Sequence, residues 1–343
     1  MTDPAYHRLL RCSRYAARLL AARPELGEAP PARWTRVAMR AFLAEPACVD
    51  EAGLAARLRR LRQRVWLDTA ARDLDAEAEL AEVTGAFSTL AEETIVAARD
   101  FCHAELAARH GTPRDETGAA QELTVVAMGK LGGGELNVSS DIDLIYLYPE
   151  EGETDGARPL SNHEFFVRLG RKLSGLLSEN TADGFVFRVD LRLRPWGESG
   201  PLAMSYAALE DYLSAHGRPW ERYAWIKARA VCGRAGDELE AIVRPFVFRK
   251  YLDFGAFAAI RDLHVQIRRE VARRELAYDV KLGPGGIREI EFTAQVFQLL
   301  RGGPLPELRV RPTLAVLARL GGAEILTMDA VTELAEAYEY MRR

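Results

Sequence analysis

A chain of 343 residues, 48% hydrophobic and 28% charged, is long enough for two or three ordinary cores and has the composition of a soluble globular protein. Its net charge of −4 speaks against a non-specific nucleic-acid binder, and no apolar run approaches the roughly 18 residues of a membrane span. Cys12, Cys48, Cys102 and Cys232 form no CxxC pair, which argues against a zinc site or a disulfide framework. With no signal-peptide apolar core at the N-terminus, the expectation is a cytoplasmic protein with reduced thiols.

Residues 3 to about 110 have helical spacing nearly throughout. Asp3-Pro4 is an N-cap and first-turn pair, and Leu9, Leu10, Tyr15, Leu19 and Leu20 fall on roughly one stripe. The region is rich in strong helix formers, carries no chemical motif, and reads as a platform. Turn formers from Gly111 to Gly118 interrupt it. Leu123–Met128 and Ile142–Tyr148 then read as strands. Ser161-Asn-His-Glu164 is a capping box that opens a helix with Phe165, Phe166, Leu169, Leu173 and Leu176 on its core face. Residues 185–194 return to strand alternation. From about 205 onward the pattern is helical, broken at Gly283-Pro-Gly-Gly286 and Gly302-Gly-Pro304. The stretch Leu334–Arg343 still reads as helix with no capping residue beyond it, so a piece of a longer chain is expected. The fold class is α+β, mostly helical, with a small mixed sheet between helical regions. The expected divisions are a helical region over 1–115, a sheet core with the carboxylates over 116–203, and a second helical region over 204–343.

The chemistry concentrates between Met128 and Ile145, where a strand runs into a glycine-rich turn and Asp141-Ile-Asp143 opens the next strand. Alternation puts both aspartates on one face. Carboxylates held that close repel unless a cation lies between them, and hard oxygen ligands suit Mg²⁺ or Mn²⁺. An Asp-x-Asp alone is common on surface strands. The second strand adds weight, because Phe187, Val189, Leu191 and Leu193 share one face while Arg188, Asp190, Arg192 and Arg194 share the other. That face is either a salt-bridged surface or a third metal carboxylate among guanidiniums suited to phosphate. Rival glycine motifs fail. A P-loop needs glycine at 124 and Ser or Thr at 131, where Thr and Leu stand; dinucleotide fingerprints need glycine at 137 or 288, where Asn and Arg stand. Arg288, Glu289 and Glu291 read as caps and surface pairs, and Trp220, Tyr223 and Trp225 as core.

These residues resemble the polymerase-β-like nucleotidyltransferases and, more narrowly, the glutamine synthetase adenylyltransferase family, which adds and removes AMP on glutamine synthetase. The likeness covers Gly129-Lys-Leu-Gly-Gly, Glu135-Leu-Asn-Val-Ser-Ser-Asp-Ile-Asp-Leu, Arg188-Val-Asp-Leu-Arg-Leu-Arg-Pro195 and Gly197-Glu-Ser-Gly-Pro201. It continues through Trp220–Arg229 and Lys281–Phe292, about two-thirds of the chain in all. The Glu-Leu-Asn-Val-Ser-Ser-Asp-Ile-Asp form resembles the N-terminal, AMP-removing half of that family. The resemblance implies phosphorolysis of an adenylylated tyrosine, with inorganic phosphate attacking and ADP leaving. It implies Asp141, Asp143 and Asp190 as catalytic carboxylates holding two Mg²⁺ or Mn²⁺ ions. Arg192 and Arg194 are then phosphate candidates, with Gly129 and Ser140 as nucleotide contacts. Lys130 either reaches a phosphate or is merely solvated. Glutamine synthetase is the implied protein substrate and a PII-type signalling protein the implied regulator, with neither nucleic acid nor membrane involved. The competing readings are AMP addition from ATP to a protein hydroxyl, and a binding module that has lost catalysis.

Overall fold

The computed structural model describes residues 2–44, 48, 50–233, 236–249, 265, 273 and 278–343. Helices numbered in chain order among these residues are α1 (His7–Cys12), α2 (Arg14–Ala22), α3 (Arg36–Ala44), α4 (Glu51–Leu74) and α5 (Leu80–His110) before the sheet. The expected Asp3 cap is present: its carboxylate accepts from the Ala5 N–H as a short 3₁₀ turn begins.

The strands are β1 (Pro113–Arg114), β2 (Thr124–Ala127), β3 (Ile142–Tyr148), β4 (Glu153–Thr154), β5 (Val189–Asp190), β6 (Ala203–Ser205) and β7 (Arg229–Cys232). β1 and β4 form a separate small ribbon. In the main sheet β2 lies antiparallel between β3 and β7, and β3 pairs in parallel with β5 at its start and with β6 at its end. The fold is therefore α+β and mostly helical, as the patterning predicts. The short strands β1, β4 and β6 are not picked out by the patterning, and the reading differs in two further places. β7 lies inside the stretch read as helical from 205 onward. The strand expected over 185–194 is only two residues long.

The sheet is buried on both faces, which is why β2 and β3 are nearly continuous apolar runs. Val125, Ala127, Leu144, Tyr146 and Tyr148 face a core shared with α5 and with α7 (Asn162–Ser178). Val126, Met128, Ile145 and Leu147 face the opposite core, shared with α8 (Tyr206–Ala215), α9 (Pro219–Trp225) and α10 (Gly236–Val247). On α7 the Ser161 hydroxyl accepts from the Glu164 N–H at 3.1 Å, and Phe165, Phe166, Leu169, Leu173 and Leu176 are all buried. Truncating such a phenylalanine to alanine costs about 3–5 kcal/mol. A third core joins α11 (Ile287–Arg301), α12 (Thr313–Gly322) and α13 (Met328–Arg342). No described helix is long and apolar enough to cross a membrane.

Two long helices brace the segments that carry the aspartates. Arg59 of α4, almost fully buried, donates through Nε to the Gly184 carbonyl at 2.7 Å, and Gln63 donates to the Asp183 carbonyl at 3.0 Å, fixing the approach to β5. From α5 the Ser88 hydroxyl accepts the Leu136 N–H at 3.0 Å, inside the loop that leads to Asp141.

Candidate active site

Ile142 and Leu144 point into the α5/α7 core, so alternation sends Asp141 and Asp143 to the other side of β3. β5 runs parallel to this end, with Val189 opposite Ile142 and Asp190 opposite Asp143. The structure thus brings all three aspartates together from two neighbouring strands.

The glycine turn closes over them. After β2 the chain enters the one-turn helix α6 (Gly129–Gly132), and the Met128 N–H donates to the Asp143 carbonyl at 2.9 Å. Gly129 sits at φ +52°, and a Cβ there would lie 2.9 Å from Oδ2 of Asp143. Only glycine supplies that conformation and that approach without strain. Gly132 is tighter, since a Cβ would meet the Lys227 carbonyl oxygen at 2.0 Å.

Burial, and then the charges of Asp190 and Asp141, push the Asp143 carboxyl up to about 6, against an opposing pull from Lys281 and Arg192. Hydrogen bonds from Arg192 hold Asp190 below the usual carboxylate range. A proton in this cluster therefore resides on Asp143. Lys281, in the glycine-proline turn, has no role in the sequence reading. Its proximity to Asp143 comes from tertiary packing, and the only sequence signal is a lysine ahead of Gly283-Pro-Gly-Gly286.

The arginines depart from the expected pattern. β5 ends at Asp190 because the Asp190 carboxylate turns the chain, accepting the Arg192 N–H at 2.8 Å and its Nε at 2.9 Å. Val189 and Leu191 pack on the α5/α7 core while Leu193 packs on the opposite one, so the alternation over 185–194 does not describe one strand. Arg188 pairs with Asp141 and donates to the Ser139 carbonyl at 2.8 Å. Arg194 turns inward and donates to the carbonyls of Leu191, Glu198 and Gly200, bracing its own loop. Ser140 is half-buried, its N–H given to the Asn137 carbonyl at 3.1 Å.

Lys130 is neither solvated nor aimed at the aspartates; its Nζ donates to Glu291 at 2.8 Å. Glu291 is correspondingly no surface pair. It joins a buried network behind the glycine turn, in which Lys227 donates to Glu135 at 2.7 Å and the Tyr338 hydroxyl donates to Glu291 at 3.1 Å. Arg342 donates to the Glu135 carbonyl at 2.7 Å and through Nε to Asn137 Oδ1 at 3.1 Å. The network ties α11 and α13 to both ends of the 130–137 loop. Of the three aromatics read as core, Trp225 is buried and Tyr223 partly so, but Trp220 is exposed. Glu289 is a cap, accepting the Gly285 N–H at 2.9 Å.

Among the described residues, no three Asp, Glu, His or Cys side chains are already arranged to hold a metal ion. Two of the three aspartates are engaged by arginines, Asp141 by Arg188 and Asp190 by Arg192. Both guanidiniums are well exposed, at 59% and 71%; the Arg188–Asp141 pair is exposed on both sides, while Arg192 grips both oxygens of the less exposed Asp190. The donor set fits a hard divalent cation once these arginines are displaced, and the raised Asp143 carboxyl marks where positive charge is short.

Residues 7–241 match a family described as glutamate-ammonia ligase adenylyltransferase, and residues 261–343 one described as GlnD PII-uridylyltransferase. The bifunctional glutamine synthetase adenylyltransferase/adenylyl-removing enzyme of Aromatoleum aromaticum is 56% identical over 335 residues, 96% of this chain and 36% of the relative. The enzyme of the same description from Nitrosomonas eutropha is 53% identical over 347 residues, covering 98% and 37%. That from Chromobacterium violaceum is 54% identical over 346 residues, covering 99% and 38%. The chain spans little more than a third of the length of these curated relatives.

Proposed function

Because the chain belongs to the glutamate-ammonia ligase adenylyltransferase family, we propose that it removes AMP from an adenylylated tyrosine of glutamine synthetase by phosphorolysis. The observation that carries this reading is the placement of Asp190 beside Asp143 on adjacent strands, under the close backbone of Gly129. The resemblance of Glu135–Asp143 to the AMP-removing half of the family favours removal over addition.

In the proposed reaction an oxygen of inorganic phosphate bonds to the α-phosphorus, and the bond from phosphorus to the tyrosine oxygen breaks. Its electron pair leaves on the phenolate, which takes up the proton released from the attacking phosphate; ADP and free tyrosine result. Phosphate is already anionic at neutral pH, so no strong base is required. The harder tasks are overcoming anion repulsion and stabilising a leaving group whose conjugate acid has a pKa of about 10. Asp141, Asp143 and Asp190 would hold two Mg²⁺ or Mn²⁺ ions, which when bound supply positive charge to the attacking and departing oxygens. Arg192, on an exposed side chain, would turn from Asp190 to a phosphate oxygen. Gly129 keeps the approach to Asp143 clear, and Ser140 offers its hydroxyl to the nucleotide. Lys130 and Arg194 would act only through the turns they brace. The match of residues 261–343 to a PII-uridylyltransferase family supports a PII-type signalling protein as regulatory partner.

Two assays test this: ATP with unmodified glutamine synthetase, and phosphate with the AMP-modified enzyme, each with Mg²⁺. ADP release in the second alone is expected. AMP incorporation in the first would instead establish the adding reaction.

A further inference from the structure

Beyond Asp190 the chain makes a fixed loop that presents an aromatic ring to solvent. Trp196 lies at φ +58°, in the left-handed region that bulky side chains avoid. It is 50% exposed, so core burial does not account for the strain. Arg194 holds the loop by its three carbonyl contacts, and Gly200 packs so closely that a Cβ would meet the Pro195 oxygen at 2.0 Å. The Trp196 ring stands edge-on to Tyr212, with centroids 4.4 Å apart. Tyr212 is fixed in turn, its hydroxyl donating to Glu221 at 2.6 Å while Glu221 accepts the Arg218 N–H at 2.9 Å.

This ring lines an open groove of about 680 Å³, together with Arg192, His216, Arg218 and the 38%-exposed Trp220. Arg192 is shared: it forms one wall of the groove and hydrogen-bonds Asp190. The groove therefore begins where the phosphate would be handled and leads away between exposed indoles. A flat aromatic group linked to a phosphate fits that layout, and base–aromatic stacking is worth about 1–3 kcal/mol per base. We propose that the groove receives the adenine of the AMP group, with Trp196 as its stacking platform. The assignment rests on the deadenylylation reading.

Calorimetric titration of the full chain with ADP and with inorganic diphosphate, in the presence of Mg²⁺, separates the two ideas. Trp196→Ala should weaken ADP binding by roughly five- to 150-fold and leave diphosphate binding unchanged. Trp196→Phe should restore most of the loss, and Trp196→Gly, which suits the positive φ, controls for a displaced loop. ADP binding unchanged in Trp196→Ala, or ADP and diphosphate weakened alike, overturns the groove assignment while leaving the catalytic reading intact. A wild-type chain that binds neither probe overturns both.

Discussion

Glu291 and Asp143 are both carboxylates shielded from water, and they respond in opposite directions. Burial alone would raise Glu291, but Lys227 and Lys130 outweigh it and hold the carboxyl below its usual range. Asp143 is raised by burial and then further by Asp190 and Asp141, the strongest charges it feels. One site is complete: Glu291 of α11 meets Lys130 of the glycine turn, and Glu135 meets Lys227 from the turn after α9. At the other, Arg188 and Arg192 engage Asp141 and Asp190, and the opposing pull of Lys281 and Arg192 on Asp143 does not offset its burial and its two acidic neighbours. A closed network fixes geometry, whereas an incomplete one invites a ligand.

The contrast breaks most visibly if the closed network is opened. Glu135→Ala should leave the buried Thr313 N–H without its acceptor and Lys227 with only the more distant Glu291 at 3.8 Å, and cost about 3–5 kcal/mol, read as a lower urea midpoint. A shift under about 1 kcal/mol would show that the network is not closed. Asp143→Ala should do the reverse. It should lower turnover on the order of a hundredfold or more, with the thermal midpoint of the metal-free chain unchanged or raised. An unimpaired rate would remove Asp143 from the chemistry.

The pH dependence sharpens the same contrast. Folded Asp143 keeps its proton up to about pH 6, against an ordinary value of 3.8. Between these values the folded chain binds more protons than the unfolded one, so this group's contribution to stability is lost as pH rises through the window. Melting curves of the metal-free chain from pH 4 to 7 should show the decline, flattened in Asp143→Asn; an equal slope in both would contradict it. The smallest effect is expected at the exposed Arg188–Asp141 pair, where Arg188→Gln should change stability by no more than about 1 kcal/mol.

Much of the site is legible in sequence because its signals are local. Strand alternation places Asp141 and Asp143, and the turn glycines sit where φ +52° and a 2.0 Å approach leave no room for a Cβ. What stays hidden depends on distant partners. The 185–194 alternation reads as one strand because a period of two cannot reveal that Leu191 and Leu193 pack on different cores. Lys130 and Glu291 lie 161 positions apart, and no local pattern joins them. β7 is only four residues long and opens on a charged Arg229, and it is strand because β2 offers an edge to pair with.

Manganese soaked into crystals of the chain gives the most direct test of the three-carboxylate site. Anomalous peaks within about 2.0–2.6 Å of Asp143 and Asp190 oxygens, with Arg192 swung away, are predicted. Strong manganese peaks elsewhere, with Arg192 still on Asp190 and nothing beside Asp143, would contradict it.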